Sequence, residues 1–139
     1  MSAGDAGRLF VYGTLMQDAV RAAVCGRALP ARAATLAGYA RYALRGEVYP
    51  AIVPRPRATT DGLLCEGVDH ALWQHLDAWE SPLYERLTVN VVSGDTLLAA
   101  QAYVLTPREH HRLEDRSWSP RDFERLHLAA YLARWGAAP

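Results

Sequence analysis

The strongest constraint on the fold of this chain is the pattern of side chains between residues 86 and 105. Residues 86–92 alternate apolar and polar side chains, which predicts a strand with one buried face. The turn-forming triplet Ser93-Gly94-Asp95 follows, and Thr96–Leu105 supplies a second apolar run. Two such runs joined by a short turn that contains glycine predict a β-hairpin.

The rest of the chain predicts further short strands and three helices. Strands are expected at Arg8–Tyr12, at Ala31–Leu44 with a break near Gly38, at Tyr49–Val53 and at Leu63–Val68. Helices are expected over Asp18–Val24, from an Asp69 cap to Trp79, and from a Ser119 cap to Gly136. Short strands without regular β-α-β alternation favour a small closed or strongly curved sheet.

Turn residues divide the strands, and apolar spacing orients the last helix. Pro54-Arg55-Pro56 predicts a loop or a sheet edge, because proline cannot donate to a strand ladder, and Asp61-Gly62 predicts a turn. Thr106–Ser117 is polar and predicts a surface loop. The apolar stripe of the last helix is predicted to contain Phe123, Leu126, Ala130 and Tyr131.

Length and charge narrow the class of protein. The 139 residues predict a flexible leader at residues 1–7 and one domain at residues 8–139. The net charge is zero and no basic stripe is present, which argues against nucleic-acid binding. The sequence contains no apolar run of membrane-spanning length and no signal peptide at its start, so we expect no membrane association and a cytoplasmic location.

Several classes of catalytic site receive little support. Lysine is absent, which excludes a lysine base, nucleophile or Schiff base. Cys25 and Cys65 have no zinc-ligand spacing, so we expect buried, reduced thiols and neither a disulfide nor a Cys-His nucleophile. The spacing of the five histidines does not predict a metal site. Thr14 as a hydroxyl nucleophile has no histidine nearby in sequence.

Two segments have the residue types of a reaction site. Tyr12-Gly13-Thr14-Leu15 follows an apolar strand, and its backbone N–H groups either form a plain turn or an anion-binding nest. Glu80 ends the helix that carries Trp79, so it is either an exposed terminal residue or a desolvated base. Asp77 is the alternative acid, whereas Glu47 and Glu66 are expected to be solvated.

These segments occur within a longer series of motifs that resembles the gamma-glutamylcyclotransferase-like family. The branch it resembles most contains the gamma-glutamylamine cyclotransferases and the plant avirulence-induced proteins. The resemblance extends from residue 9 to residue 104, and the order of the motifs is more specific than any one of them. The motifs are Val11-Tyr12-Gly13-Thr14-Leu15, Tyr49-Pro50-Ala51-Ile52, residues 62–68, Leu76-Asp77-Ala78-Trp79-Glu80 with Tyr84 and Arg86, and Ala102-Tyr103-Val104.

The resemblance implies an α+β fold with a small mixed β-barrel core, flanking helices and a cavity at one end of the barrel. It implies that Glu80 is the catalytic acid, and that Tyr12, Gly13, Thr14 and Leu15 bind substrate. It also implies that Tyr84 and Tyr103 orient the substrate through their hydroxyls. The sequence departs from the family pattern at Trp79, where a smaller aromatic residue is usual, and at Ser81-Pro82, which stands where glycine usually follows the acid.

The implied reaction is the release of 5-oxoproline and a free amine from a γ-glutamyl amine or peptide. The α-amino group of the substrate attacks its own γ-carbonyl, and Glu80 transfers the protons. The resemblance implies no metal, no nucleotide and no other cofactor. The rival hypothesis is a small-ligand binding module without catalysis that uses the same cavity. The leaving amine and the oligomeric state stay open.

Overall fold

The computed structural model describes residues 7–80 and 82–135, and these residues form a closed five-stranded barrel with flanking helices. The strands are β1 (Leu9–Val11), β2 (Ala31–Ala43), β3 (Pro50–Cys65), β4 (Tyr84–Ser93) and β5 (Thr96–Leu105). The order around the barrel is β1-β3-β2-β4-β5. Only β1 and β5 pair in parallel, through Leu9 and Gln101, and this contact closes the barrel. The predicted α+β barrel is therefore confirmed.

The hairpin predicted from side-chain alternation is present and forms one wall of the barrel. Strands β4 and β5 pair without a register shift from Tyr84 and Leu105 to Ser93 and Thr96. Val89 and Val91 face the interior of the barrel, whereas their polar neighbours face outward. The apolar pattern thus determined both the pairing and the buried face.

The middle of the chain is more continuous than the sequence predicted. Residues 50–65 form one long strand, so a separate strand at Leu63–Val68 and a turn at Asp61-Gly62 are both wrong. Asp61 pairs with Thr35 in the interior of a ladder with β2. The expected loop at Pro54-Arg55-Pro56 corresponds to an exposed irregularity within β3, where the register shifts opposite Gly38.

Gly62 lies in mid-strand because β1 crosses very close to it. A Cβ atom at this position would lie 2.3 Å from the carbonyl oxygen of Val11 and 2.8 Å from the ring of Phe10. Glycine is required there by the close approach of a neighbouring strand and not by a turn. The local sequence Asp-Gly cannot distinguish these two causes.

Four α-helices and two short 3-10 helices flank the barrel within the described residues. They are α1 (Asp18–Cys25), α2 (His70–Trp79), α3 (Pro120–Leu126) and α4 (Leu128–Trp135), with 3-10 turns at Thr14–Met16 and Pro107–Arg112. The predicted cap of α2 is confirmed, because the Asp69 carboxylate accepts a hydrogen bond from the N–H of Leu72 at 2.9 Å. Gly26 follows α1 in the left-handed conformation, with φ of 74°.

The last predicted helix is two helices with a break at His127. Two of the four residues predicted for its apolar stripe are exposed, so that part of the prediction is wrong. Phe123 is buried and Tyr131 is half-buried, but Leu126 and Ala130 are exposed. In the second helix, Leu128 and Leu132 are the residues that pack on the core. Gly136, the predicted end, and residues 1–6 of the predicted leader lie outside the described residues.

Two apolar layers organise the molecule. The barrel interior contains small and branched side chains around Phe10 and Tyr12. A second cluster packs the outer face of β1 against helices α1 and α2, with Leu76 fully buried between them. Strand β1 therefore contributes side chains to both layers, and the residues that follow it emerge at the rim between them. Within residues 7–80 and 82–135, every helix is too short or too polar to traverse a lipid bilayer.

Candidate active site

A cavity of about 530 Å³ opens beside the end of β1. This volume lies within the range of about 300–1,000 Å³ that is typical of small-molecule sites. The lining residues come from six parts of the chain: β1 with its following turn, the segment that leads into β3, the end of α2, the start of β4, β5 and α4. Every predicted site residue is among them, namely Tyr12, Gly13, Thr14, Leu15, Glu80, Tyr84 and Tyr103.

The turn after β1 supplies backbone donors to this cavity. Thr14 and Leu15 begin a 3-10 helix, and the first N–H groups of a helix have no acceptor within it. In the described part of the chain, no backbone or side-chain group accepts a hydrogen bond from the N–H of Gly13, Thr14 or Leu15. Three adjacent donors without protein acceptors can bind a carboxylate or polarise a carbonyl oxygen.

Two contacts hold this turn in place. A Cβ atom on Gly13 would lie 2.9 Å from Cδ of Pro50, so only glycine fits between the turn and β3. The guanidinium of Arg41 donates to the carbonyl of Tyr12 at 2.8 Å and to that of Asp61 at 3.0 Å. Arg41 thereby joins the turn to β3, a contact that the sequence did not predict.

Glu80 faces the same cavity from the C-terminal end of α2. Its backbone N–H closes the last turn of the helix by donating to Leu76 at 2.8 Å. Among residues 7–80 and 82–135, no group donates a hydrogen bond to its carboxylate, and no cation pairs with it. Burial in the cavity wall, and secondarily the carboxylate of Asp77, raise the pKa of Glu80 to about 8. Glu80 can therefore accept and return a proton near neutral pH.

Asp77, the alternative acid, is engaged elsewhere. Its two carboxylate oxygens accept from Nε and Nη2 of Arg86 at 2.9 and 3.2 Å. The hydroxyl of Tyr103 also donates to Asp77, at 2.6 Å. A carboxylate that accepts three such hydrogen bonds has little capacity left for a substrate. The contacts therefore favour Glu80 over Asp77 as the acid.

The tyrosine hydroxyls in the site donate to protein groups. Tyr84 donates to the carbonyl of Pro50 at 2.7 Å, and Tyr12 donates to the carbonyl of Tyr103 at 2.5 Å. Burial is the main cause of the raised pKa of both Tyr12 and Tyr84, so both phenols stay neutral. With their protons engaged, these hydroxyls can offer a ligand only oxygen lone pairs, which suits an ammonium group.

Some lining residues were not predicted. The segment Tyr49-Pro50 was recognised as part of a motif but not as a wall of the site, and Tyr131 was predicted only as a core residue. Tyr131 lies within 3.4 Å of Oγ1 of Thr14, which ties α4 to the turn after β1. Glu47 is exposed as predicted, yet it lines the cavity mouth and accepts from Tyr49 at 2.8 Å.

Within the described residues, the two cysteines and Thr14 lack the surroundings of an activated nucleophile. Cys25 and Cys65 are free and buried, and burial raises the pKa of both thiols, that of Cys65 to about 11. Such thiols are protonated near pH 7, unlike an activated nucleophile. The side chain of Thr14 contacts the hydroxyl of Tyr131 and no described histidine. The described residues contain no cluster of three or more potential metal ligands.

Comparison with known sequences identifies the family. The sequence model of the family described as "Gamma-glutamyl cyclotransferase, AIG2-like" matches residues 9–120. This match extends from β1 to the start of α3 and contains Glu80 and the turn after β1. The chain belongs to this family.

Other members of the gamma-glutamyl cyclotransferase, AIG2-like family are similar over most of the chain. AIG2-like protein D of Arabidopsis thaliana is 32% identical over 127 residues, which are 89% of this chain and 83% of that protein. The solution structure of another Arabidopsis thaliana protein superposes with a TM-score of 0.71 at 28% identity, and covers 96% of this chain and 90% of its own.

A structure titled "Gamma-glutamyl cyclotransferase" shares the fold of this family member. It superposes with a TM-score of 0.64 at 15% identity, over 96% of this chain and 88% of its own.

Of the two departures from the family pattern, Trp79 lines the cavity next to Glu80. Ser81 lies outside the described residues, and Pro82 is exposed directly after it.

Proposed function

We propose that this protein is a gamma-glutamyl cyclotransferase-type enzyme that releases 5-oxoproline and a free amine from a γ-glutamyl amine or γ-glutamyl peptide. One observation carries the proposal: Glu80, with its pKa near 8 and no hydrogen-bond donor to its carboxylate among the described residues, lines the same cavity as Gly13, Thr14 and Leu15, whose N–H groups have no acceptor among those residues. Family membership supports the same conclusion.

The proposed reaction needs an acid-base group and little else. The α-ammonium group of the substrate gives a proton to the Glu80 carboxylate, and the resulting amine attacks the γ-carbonyl of the same molecule. The C–N bond of the five-membered lactam forms and the bond to the second amine breaks. Glu80 returns this proton to the leaving nitrogen. The attacking nitrogen gives up a second proton, which also ends on the leaving amine. The leaving amine departs as an ammonium ion, so no proton is gained or lost.

The remaining residues would orient the substrate. The N–H groups of residues 13–15 suit the α-carboxylate or the developing oxyanion. The hydroxyl oxygens of Tyr84 and Tyr103 suit the α-ammonium group, because their protons are already donated to protein atoms. Since the nucleophile is tethered to the electrophile, correct folding of the substrate removes most of the entropic barrier.

The direct test is release of 5-oxoproline from a panel of γ-glutamyl amines, γ-glutamyl dipeptides and glutathione. We expect turnover of at least one member by the native protein, and a loss of about 10²-fold or more in Glu80→Gln. The variant should keep its fold and its affinity for 5-oxoproline. Glu66→Gln is the matched control, because Glu66 pairs with Arg32 away from the cavity. A panel without turnover that still binds in the cavity would support the non-catalytic ligand-binding module.

A further inference from the structure

A second, more polar cavity lies on the other side of Glu80. It has a volume of about 360 Å³ and is lined by Asp77, Glu80, Tyr84, Arg86, Gln101 and Tyr103. Glu80, Tyr84 and Tyr103 line both cavities and form the partition between them. The second cavity therefore contains the ion pair between Asp77 and Arg86, which the proposed reaction does not use.

This ion pair is fixed from several directions. Arg86 binds both oxygens of Asp77, and its guanidinium lies over the ring of Trp73, 4.6 Å from the centroid. Nη1 of Arg86 also donates to the side chain of Gln101 at 3.4 Å, and Gln101 donates to Thr88 at 2.7 Å. A bidentate pair with a stacked guanidinium has little freedom to rearrange.

The fixed carboxylate lies one helical turn from the proposed acid. Asp77 and Glu80 are three residues apart at the C-terminal end of α2, a spacing that places two side chains on the same side of a helix. The hydroxyl of Tyr103 donates to Asp77 from strand β5, so the barrel as well as α2 restrains the Asp77 carboxylate. The charge of Asp77 is consequently held at a constant place relative to Glu80.

We infer that Asp77 and Arg86 form a charge pair that positions the acid and sets the pH at which Glu80 releases its proton, with the negative member next to Glu80 and the positive member behind it. This inference rests on the proposed function, because it concerns the acid of that reaction. Asp77 and Arg86 are positioning residues in this scheme. The carboxylate of Asp77 disfavours a second negative charge on Glu80, and Arg86 limits that effect by partly neutralising Asp77.

Other titratable groups line the two cavities together with Glu80 and stay unchanged in the variants at positions 77 and 86. They are Tyr12, Glu47, Tyr49, Tyr84, Tyr103, Tyr131 and Arg134. Burial is the main cause of the raised pKa of Tyr12, Tyr49, Tyr84 and Tyr103, so these phenols are neutral where Glu80 titrates. Differences among variants at positions 77 and 86 therefore report on the charge pair itself.

The scheme predicts shifts of opposite sign from the two members of one ion pair. In Asp77→Asn, the titration midpoint of Glu80 should fall by about one pH unit, because the like charge of Asp77 is lost and Arg86 remains. In Arg86→Gln, the midpoint should rise, because Asp77 is no longer neutralised. A purely structural ion pair predicts a loss of stability in both variants and no opposing shifts.

The experiment is a ¹³C NMR titration of the Glu80 side-chain carboxyl in protein without substrate, assigned by comparison with Glu80→Gln. Glu85→Gln is the matched control, because it removes a carboxylate from β4 between Tyr84 and Arg86 on the opposite side of the strand. We expect the titration midpoint of Glu80 in Glu85→Gln to match that in the native protein. Thermal unfolding of each variant identifies those that fold.

If Asp77→Asn does not fold, Tyr103→Phe provides the second variant, since it removes one donor to Asp77 and keeps the ring. The less restrained Asp77 should then change the Glu80 midpoint in a folded protein. An unchanged midpoint in the folded variants, or shifts of the same sign for positions 77 and 86, would overturn the inference. Because no substrate is used, this outcome is distinct from a lack of 5-oxoproline release, which would count against the proposed function alone.

Discussion

Arg41 donates a hydrogen bond to the carbonyl of Tyr12 at 2.8 Å, and this contact secures the turn whose N–H groups line the cavity. Arg41 lies near the end of β2, on the far side of β3 from β1 in the strand order. Arg41 on β2 thus holds the main chain that follows β1. We therefore expect the loss of Arg41 to weaken ligand binding, although Arg41 is distant from the turn in sequence.

Replacement of Arg41 by methionine tests this role. Methionine keeps the apolar stem and removes the charged donor, so we expect a loss of about 1–2 kcal/mol in the free energy of unfolding and several-fold weaker binding of 5-oxoproline. Urea denaturation and calorimetry measure the two effects. Arg55→Met is the matched control, because both arginines stack on an aromatic ring but Arg55 is remote from the turn. Equal ligand affinity in both variants would contradict this prediction.

Gly13→Ala should damage the site more than the fold. The added Cβ atom would meet Cδ of Pro50 at 2.9 Å, and the rigid proline ring cannot move aside, so the turn must shift. We expect a cost of about 1–3 kcal/mol in stability and at least a ~10-fold loss of turnover through misplaced N–H donors. The control is Gly7→Ala, whose Cβ atom would be no closer than 3.4 Å to a neighbour. Native turnover in Gly13→Ala would disprove the role of this turn.

Gly62→Ala should destabilise the barrel. The new Cβ atom would lie 2.3 Å from the backbone oxygen of Val11, and neither strand can withdraw without breaking the ladder. We expect a loss of about 3 kcal/mol or more in the free energy of unfolding. Thr59→Ala, at an exposed position of the same strand, should change stability by less than about 0.5 kcal/mol. A stable Gly62→Ala protein would show that the two strands are not as close as described.

Glu80 should make stability depend on pH in a defined direction. Its pKa rises from the ordinary value of 4.5 to about 8 on folding. Between these values the folded protein holds a proton that the unfolded chain has released, so the stability decreases as the pH rises through this window. We therefore expect Glu80→Gln to be more stable than the native protein by about 2–4 kcal/mol at pH 8.5, with the difference disappearing near pH 4.5.

Urea denaturation of both proteins across this pH range gives the measurement. Glu66→Gln again serves as the control, because Glu66 is an exposed partner of Arg32. A stability difference between Glu80→Gln and the native protein that does not vary with pH would mean that Glu80 is solvated in the folded protein.

Local patterns predicted several elements well, for physical reasons that can be stated. The alternation of residues 86–92 survives in β4 because one face of that strand is buried in the barrel. The Asp69 cap and Gly26 act through the backbone within a few residues, so their effects do not depend on distant contacts. Glu80 and the turn after β1 were found through the order of family motifs, which spacing alone would not have supplied.

Other features could not be predicted because their causes lie far away in the chain. Asp61-Gly62 has the composition of a turn, but its glycine serves the close passage of Val11. Beyond the break at His127, Leu128 and Leu132 pack against the outer core cluster, which is built from distant parts of the chain. Tyr131 lines the cavity, and Arg41 reaches Tyr12 across a neighbouring strand.

The sequence by itself determined the strand and helix types, the helix caps and the residue types available for proton transfer, since these depend on backbone preferences and on neighbours within a few positions. Only the tertiary structure decided that Glu80 and residues 13–15 line one cavity, and that Asp77 is bound to Arg86 and Tyr103. Burial and charge proximity set the pKa of an acid, and both are properties of the closed barrel with its packed helices.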